Sequence, residues 1–230
     1  MKPNRIILIR HGQSQGNEKP ELHSKIPDYA LELTPEGMSQ ARMAGVQLKQ
    51  IMGNESVFFY ISPFWRTRST AEQIALQLTD NKCSYREDPR LREQEWGHLR
   101  PKEETDVYEN ERDKYGTFYY RFPDGESCAD VYDRVSDFFN TLHRDFEKKD
   151  FPDNAVFVTH GMTIRLFLMR WFHLSVEEFE LLRNPHNCEF FILERQPNGK
   201  YDLKSIPRRR NSPKHIYQRP LIMFPGCRKG

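Results

Sequence analysis

Two histidines of this chain each follow a short apolar run and precede a glycine. The first lies in Arg10-His11-Gly12, after residues 6–9, and the second lies in Thr159-His160-Gly161, after residues 155–158. An arginine can hold a phosphate or carboxylate with two parallel hydrogen bonds, and an imidazole can act as a nucleophile or exchange a proton. Glycine lets backbone amides approach a bound group closely. These residue types favour an anion-binding site that contains two imidazoles.

Each apolar run predicts a buried strand, because a short continuous apolar segment suits a sheet that is covered on both faces. Open α/β sheets bind their ligands at the carboxyl ends of the strands. A single Arg-His-Gly would also fit an ordinary polar loop with a surface histidine, since short motifs recur by chance. Two such strands can bring His11 and His160 together at one edge of the sheet.

Strands and helices alternate along the chain, which indicates helical layers on both faces of the sheet. We therefore predict an α/β fold, a three-layer α/β/α sandwich with a mostly parallel sheet. The turn at Pro197-Asn198-Gly199 leads into 201–206 and predicts one antiparallel edge strand. The other predicted strands are 5–9, 57–61, 83–87, 155–159 and 188–193. Predicted helices cover 35–52, 102–114 and 162–173. Three more are a helix that follows the second strand and ends at Leu78, a helix capped by Ser127 that ends at Phe146, and a short helix from Ser175.

The composition changes near the carboxyl end of the chain. Residues 1–206 carry the alternating pattern and form a single predicted domain, whereas residues 207–230 form a basic extension with four prolines. A solvated tail and a weak contact with an anionic surface both fit this composition. Apolar residues in the extension indicate that part of it docks: Ile216, Tyr217, Leu221, Ile222, Met223 and Phe224.

Composition also bounds the partners and the location. A net charge of +2 is too balanced for a nucleic-acid-binding protein. No apolar run reaches the roughly 18 residues of a membrane span, and the amino terminus enters the first strand without a signal peptide. The four cysteines show no zinc-like spacing and fit free thiols in a reducing compartment. We expect a cytoplasmic protein, with the nucleus as an alternative, and the oligomeric state stays open.

Four motifs occur in the order that one known family shows. They are Arg10-His11-Gly12-x-Ser14-x-x-Asn17, Ser62-Pro63-x-x-Arg66-Thr67, Leu91-Arg92-Glu93 and Thr159-His160-Gly161. Together they resemble the histidine phosphatase superfamily, also called phosphoglycerate-mutase-like, which implies that residues 1–206 are one catalytic domain. The runs Glu-Trp-Gly-His-Leu-Arg at 95–100 and Tyr-Arg-Phe-Pro-Asp-Gly-Glu-Ser at 120–127 are similar to a plant and fungal branch of uncharacterised substrate.

The resemblance implies a role for each matched residue. His11 would attack phosphorus as neutral imidazole and form a phosphohistidine. Glu93 would give a proton to the leaving oxygen and then take one from water. Arg10, Arg66 and a protonated His160 would neutralise the phosphate, so that neither a metal ion nor another cofactor is needed. The implied phosphate-binding set is Arg10, Ser14, Asn17, Arg66, His160 and Gly161.

Some of these assignments have alternatives. Glu95 lies two residues after Glu93, and a loop could present either carboxyl group, although the motif position favours Glu93. Ser14 and Asn17 could cap a turn instead of contacting phosphate. The two arginines could form structural ion pairs.

The chain departs from the mutase motif Glu-x-x-Tyr-Gly-x-Leu-x-Gly-x-x-Lys that would begin at Glu93. Trp96 replaces the tyrosine, Pro101 the second glycine and Glu104 the lysine. A carboxylate in place of that lysine would repel phosphoglycerate, and the insertion holds no adjacent pair of arginines. We therefore predict a metal-independent phosphatase that hydrolyses a small phosphorylated substrate. Mutase-type phosphoryl transfer and a non-catalytic anion-binding or scaffold protein are the alternatives.

Overall fold

The computed structural model describes residues 2–212 of the chain, and a sheet of six strands organises this range. The strands are β1 (Arg5–Arg10), β2 (Val57–Ile61), β3 (Cys83–Glu87), β4 (Asn154–Thr159), β5 (Phe190–Arg195) and β6 (Tyr201–Leu203). They lie side by side in the order β3-β2-β4-β1-β5-β6. The predicted docking of the apolar tail residues 216–224 lies outside the described range.

Helices cover both faces of this sheet. They are α1 (Gln15–Glu18), α2 (Pro35–Met52), α3 (Trp65–Ala75), α4 (Lys102–Tyr115), α5 (Cys128–Phe146), α6 (Gly161–Trp171) and α7 (Val176–Leu181), with 3₁₀ turns at Pro20–Ser24, Asp28–Ala30 and Pro89–Leu91. Thr34 caps α2, and Ser127 and Ser175 begin capping boxes at α5 and α7. No helix within residues 2–212 combines the length and the hydrophobicity needed to cross a membrane.

Alternate residues of the central strands point to opposite faces of the sheet, and each face has its own core. Ile7 of β1 packs in a buried cluster with Leu48 of α2 and Ile74 of α3. Leu8, the next residue but on the other face, belongs to a second cluster with Phe138 of α5. Because both faces are buried, the central strands β1 and β4 are apolar between their terminal residues. The predicted three-layer α/β/α sandwich with a mostly parallel sheet is confirmed.

Three parallel strands end at the same edge of the sheet. Strand β4 pairs in parallel with β1 on one side and with β2 on the other, and Arg10 lies beside Thr159 in this register. The residues that directly follow the three strands, His11, Ser62 and His160, therefore lie next to one another. This edge is where an α/β sheet holds its ligand.

Strand β5 runs antiparallel to β1, and the edge strand β6 runs antiparallel to β5. The predicted antiparallel edge strand is thus present, but it ends at Leu203 rather than at Ile206. Strand β5 begins at Phe190 rather than at Cys188, because Cys188 has a φ of +56° and donates its N–H to the carbonyl of Arg10 at 3.0 Å. The loop before β5 therefore closes over the carboxyl end of β1.

The first residues of the predicted extension return to the end of α7. The carbonyl of Arg208 accepts from the N–H of Arg183 at 2.9 Å, and the N–H of Arg210 donates to the carbonyl of Leu181 at 2.7 Å. Residues 208–210 therefore pack on the domain. The domain boundary at 206 stays a prediction.

Candidate active site

His11 lies at the carboxyl end of β1 and is 4% exposed. Its Nδ1 lies 2.7 Å from the carbonyl oxygen of Gly12. A carbonyl oxygen only accepts, so Nδ1 carries the hydrogen and Nε2 keeps its lone pair. Nε of Arg66 donates to this Nε2 at 3.3 Å. The neutral ring therefore presents one nitrogen that can attack phosphorus.

The surroundings of His11 hold it in this neutral form. Burial lowers the pKa of its imidazole well below the ordinary value, and the positive charges of Arg66 and Arg10 lower it further. The hydrogen bond to Gly12 opposes this shift without reversing it. The ring is thus in the state that a nucleophile requires.

His160 follows β4 and packs against His11, with the two ring centroids 5.2 Å apart. Its Nε2 lies 2.8 Å from Oγ of Ser62, and its buried Nδ1 has no hydrogen-bond partner within residues 2–212. Burial lowers the pKa of His160 well below its ordinary value, and Arg66 and His11 add to the shift. Burial among cations therefore does not favour a protonated His160 before phosphate binds, and its protonation beside a bound phosphate stays a prediction. A phosphate dianion beside the ring would act in the opposite direction.

Arg66 lies in the first turn of α3, and its side chain is 5% exposed. Its Nη2 donates to Oδ2 of Asp28 at 2.9 Å, and its Nη1 donates to the carbonyl of the same residue. The guanidinium carbon lies 4.9 Å from the centroid of the Phe64 ring. A phosphate in front of His11 would therefore compete with Asp28 for this guanidinium group.

Arg10 ends β1 on the other side of His11. Its Nη1 donates to the carbonyl of Pro185 at 2.7 Å, and its buried Nε has no partner within residues 2–212. Arg10, His11 and Arg66 line one cavity. A buried donor without a partner beside this cavity is suited to an anionic ligand.

Glu93 faces the two arginines from the loop after the 3₁₀ turn Pro89–Leu91. Its Oε1 accepts from the N–H of Gln94 at 3.0 Å, and its Oε2 accepts from the N–H of Met162 at 3.3 Å, at the start of α6. Burial raises the pKa of Glu93, although both hydrogen bonds and the nearby arginines act in the opposite direction. A buried carboxyl group of raised pKa is suited to carry a proton at neutral pH.

Glu95 lines the same cavity in different surroundings. Burial raises its pKa, and the negative charge of Asp28 raises it further. His98 lies beside it, with Nδ1 3.9 Å from Oε1 of Glu95. The charges that act on Glu93 include those of Arg10 and Arg66, which also act on His11, whereas those that act on Glu95 are Asp28, His98, Glu126 and Arg92. This difference favours Glu93 as the proton donor.

Ser14 and Asn17 form a capping box at the start of α1. The N–H of Asn17 donates to Oγ of Ser14 at 3.3 Å, and the N–H of Ser14 donates to Oδ1 of Asn17 at 3.2 Å. Nδ2 of Asn187 also donates to this Oδ1, at 3.1 Å. Both residues line the cavity, so the capping role is observed and the contact with phosphate stays a prediction.

Gly161 begins α6 behind the cavity wall. A β-carbon at this position would lie 3.3 Å from Cγ of Asn184, and Asn184 is a residue that lines the cavity. Oδ1 of Asn184 accepts from Nη1 of Arg165 at 3.3 Å. Asn184, rather than Gly161, therefore lines the cavity at this point. The role of Gly161 in phosphate binding stays a prediction.

The cavity in front of His11 has a volume of ≈ 830 Å³ and extends past Trp96 to α4. Asp28 and Asn184 line it and were missed from the sequence, because neither belongs to a recognisable motif. The irregular, polar composition of 18–32 predicts a segment at the mouth of the site, and Asp28 belongs to that segment, but its contact with Arg66 has no sequence signal. Within residues 2–212 no group of three or more His, Cys, Asp and Glu side chains is arranged to hold a metal ion. Metal independence stays a prediction.

Comparison with known families decides the identity of this arrangement. Residues 6–206 match the family described as "Histidine phosphatase superfamily (branch 1)". The chain belongs to the histidine phosphatase superfamily. The predicted resemblance is confirmed, and the match spans the strands, both histidines, both arginines and Glu93.

Two curated relatives place this histidine phosphatase chain in the plant and fungal branch. The "Phosphoglycerate mutase-like protein AT74" of Arabidopsis thaliana is 41% identical over 214 residues, which cover 87% of this chain and 68% of that protein. The "Broad-range acid phosphatase DET1" of Saccharomyces cerevisiae is 28% identical over 299 aligned positions, which cover 89% of this chain and 90% of that protein. The predicted branch is thereby confirmed.

Solved structures show the same histidine phosphatase fold. A mycobacterial glucosyl-3-phosphoglycerate phosphatase superposes with a TM-score of 0.68 at 21% sequence identity, covering 89% of this chain and 99% of that chain. At this identity the similarity supports the fold alone.

Proposed function

We propose that this member of the superfamily is a phosphomonoester hydrolase that forms a phosphohistidine at His11. The observation that carries the proposal is the hydrogen bond of 3.3 Å from Nε of Arg66 to Nε2 of His11. It supports the proposal because a phosphate drawn to this guanidinium group would lie against Nε2, whose lone pair becomes free to attack when the phosphate takes over the bond from Arg66. Glu93 lines the same cavity and its pKa is raised, so its carboxyl group can donate a proton to the leaving oxygen.

In the first step Nε2 of His11 attacks phosphorus and the bond from phosphorus to the ester oxygen breaks. The protonated carboxyl group of Glu93 gives its proton to the departing oxygen, which leaves as an alcohol. The ring becomes a cationic phosphohistidine, and its Nδ1–H is stabilised by the carbonyl of Gly12 at 2.7 Å. Arg10 and Arg66 neutralise the charge on the phosphoryl oxygens, so the step requires no metal ion.

In the second step a water molecule attacks the phosphoryl group. The carboxylate of Glu93 takes a proton from this water, the bond from phosphorus to nitrogen breaks, and the electron pair returns to Nε2 of His11. Inorganic phosphate leaves, and both residues are back in their starting protonation states.

Charge pairing in the cavity favours hydrolysis over mutase chemistry. A phosphoglycerate mutase has to hold a carboxylate and a second phosphate besides the group that it transfers. Within residues 2–212, each further cation of the cavity already has a carboxylate partner: Arg92 with Glu126, Arg100 with Asp124 and Lys102 with Asp106. These pairs weaken the attraction for a second anionic group, which would have to displace a carboxylate as a phosphate at Arg66 has to displace Asp28. Nε of Arg100 is the buried donor among them that has no partner within residues 2–212. The acid phosphatase name of the yeast relative agrees with this interpretation.

The test is capture of the phosphoenzyme. Radiolabelled p-nitrophenyl phosphate, mixed with the protein and quenched rapidly, should leave label on the chain that is stable in alkali and lost in acid. His11→Ala should abolish both the label and hydrolysis, because it removes the nitrogen that attacks phosphorus. His143→Ala, a change at an exposed histidine of α5, should retain both. Labelling or hydrolysis by His11→Ala would refute the mechanism.

Other outcomes identify the alternatives. Bacterial 2,3-bisphosphoglycerate-dependent phosphoglycerate mutases are also relatives, one from Parvibaculum lavamentivorans being 28% identical over 186 residues. Interconversion of phosphoglycerates after priming with 2,3-bisphosphoglycerate would identify a mutase. Binding of inorganic phosphate without turnover of any ester in a broad panel would identify a non-catalytic anion-binding protein.

A further inference from the structure

Arg134 on α5 engages the backbone of the segment that carries Glu93. Its guanidinium group donates to three carbonyl oxygens, those of Arg90 at 2.6 Å, Arg92 at 2.9 Å and Glu93 at 3.0 Å. It also donates to both carboxylate oxygens of Glu126, at 3.0 Å each. All three nitrogens of the group are engaged, and three of these five bonds end on the backbone around Glu93.

We call residues 90–94 the acid loop. Beyond the 3₁₀ turn it has no helix or strand, so side chains bind its carbonyls. Oγ1 of Thr159 donates to the carbonyl of Leu91 at 2.6 Å, and Oγ1 of Thr163 donates to the carbonyl of Arg92 at 2.8 Å. With the bonds from Arg134, four successive carbonyls of the loop accept from side chains. The fold therefore fixes the acid loop from α5, β4 and α6.

Glu126 joins Arg134 to the same loop. Its Oε2 accepts from the N–H of Glu95 at 3.1 Å, and its Oε1 accepts from the guanidinium group of Arg92. The side chains of Arg134 and Glu126 are 10% and 13% exposed. A buried ion pair contributes little net stability, because removing both charges from water costs about as much as their attraction returns. Stability alone therefore explains this pair poorly.

We propose that Arg134 is a positioning residue for proton donation by Glu93. The proposal rests on the phosphatase mechanism above. The planar guanidinium group fixes the backbone at Arg90, Arg92 and Glu93, and so fixes where the Glu93 carboxyl group meets the leaving oxygen. Proton transfer needs heavy atoms within about 2.6–3.2 Å of each other. A displacement of about 1 Å can slow a reaction roughly a hundredfold.

Leaving groups distinguish positioning from a merely structural role. p-Nitrophenolate departs as an anion and needs no proton, whereas the oxygen of an alkyl phosphate has to be protonated as its bond to phosphorus breaks. The parameter kcat/KM covers the steps up to phosphoenzyme formation, which is where Glu93 acts as an acid. A misplaced Glu93 should therefore lower kcat/KM for an alkyl ester more than for an aryl ester.

The experiment compares butyl phosphate with p-nitrophenyl phosphate on single preparations of Arg134→Lys and Arg134→Gln. Lysine retains the charge but cannot make the planar set of bonds. We expect the butyl-to-nitrophenyl ratio of kcat/KM to fall about tenfold in Arg134→Lys, and further in Arg134→Gln. Glu93→Gln should show the largest fall. Because both rates come from one sample, the ratio does not depend on the folded fraction.

Arg144→Gln is the matched control. Arg144 lies on the same helix, is exposed, and donates to Oγ1 of Thr141 at 3.3 Å, so the ratio should not change. An unchanged ratio in both Arg134 variants, together with a lowered ratio in Glu93→Gln, would overturn the role of Arg134 and leave the mechanism intact. An unchanged ratio in Glu93→Gln would overturn the proton donor itself, and the role of Arg134 with it.

Discussion

His11 and Glu93 lie beside one cavity, and burial moves their pKa values in opposite directions. Burial disfavours the charged form of each group, which is the imidazolium of His11 and the carboxylate of Glu93. Arg66 and Arg10 add to the shift at His11 and oppose the shift at Glu93. Burial therefore favours the neutral imidazole at His11 and the protonated carboxyl group at Glu93, the two forms that the first step of the proposed hydrolysis requires.

The pH dependence of hydrolysis should reflect this pair. Neutral His11 persists as the pH falls through the ordinary histidine value, because its pKa is lowered. Protonated Glu93 is lost as the pH rises through its raised pKa. We expect kcat/KM for butyl phosphate to be highest at acidic pH and to decline on the alkaline side, and p-nitrophenyl phosphate to lack that decline. Parallel pH profiles for the two esters provide the check.

Equal alkaline declines for both esters would contradict the assignment of Glu93. The phosphate of the aryl ester loses its second proton at a lower pH than that of the butyl ester, so each profile is corrected for the separately measured ionisation of its own substrate. Glu93→Gln supplies the control, since its profile with butyl phosphate should be low and should lack the alkaline decline.

At the scale of elements, the loop of His11 packs directly on the first turn of α2. The N–H of Thr34, the N-cap of α2, donates to the carbonyl of Gln13 at 2.9 Å. On its other side the loop is bound to α3, because the N–H of Gly12 donates to Oγ1 of Thr70 at 3.0 Å. A β-carbon at Gly37 would lie 2.0 Å from the carbonyl oxygen of Gln13. Only glycine allows this approach, so the position of His11 depends on the absence of a side chain in α2.

Gly37→Ala should therefore shift the loop that carries His11. We expect the free energy of unfolding to fall by about 1–3 kcal/mol, the usual cost of forcing an extra methyl group into a packed region. kcat/KM should fall as well, because His11 is displaced from the phosphate site. Urea unfolding and the p-nitrophenyl phosphate assay measure the two effects. Ser39→Ala, at an exposed position of the same helix, is the control, and normal stability and activity of Gly37→Ala would contradict the packing described here.

At the scale of the whole molecule, folding removes two imidazoles from water. His11 is 4% exposed and His160 is fully buried. Both pKa values are lowered well below the ordinary histidine value. The unfolded chain therefore binds protons at these positions at a higher pH than the folded protein does. The site imposes a pH dependence on the stability of the entire domain.

The free energy of unfolding should fall as the pH is lowered below the ordinary histidine pKa of about 6.5. Each of the two histidines contributes up to about 1.4 kcal/mol per pH unit in this window, because only the unfolded chain takes up its proton there. Glu93 acts in the opposite direction, since its raised pKa lets the folded protein bind a proton first. Urea titrations at a series of pH values measure the slope.

His160→Gln should make that slope shallower, because it removes one of the two proton uptakes of the unfolded chain. His143→Gln, at an exposed position of α5, is the matched control and should retain the wild-type slope. Equal slopes for His160→Gln and the wild type would show that His160 is not held neutral by the fold.

Local sequence patterns predict the strands that frame the site. The runs 5–9, 57–61 and 155–159 correspond to β1, β2 and β4 within one residue, because strands buried on both faces are continuous apolar segments. Parallel strands bring their carboxyl ends to one edge of a sheet, so the meeting of His11 with His160 and Arg66 also followed from local patterns. Such features depend on residues that are neighbours in the chain.

Other features of the site depend on contacts between segments that lie far apart in the chain. Three examples are the ion pair of Asp28 with Arg66, the antiparallel pairing of β5 with β1, and the hydrogen bonds from Arg134 to the acid loop. Each joins distant segments that no sequence motif or periodicity connects. The lowered pKa of His160 also depends on the tertiary structure, since it arises from burial and from the charges of other segments. Desolvation and long-range contact exist only once the chain is folded, and for this reason the motifs located the chemistry while the packing set its protonation and geometry.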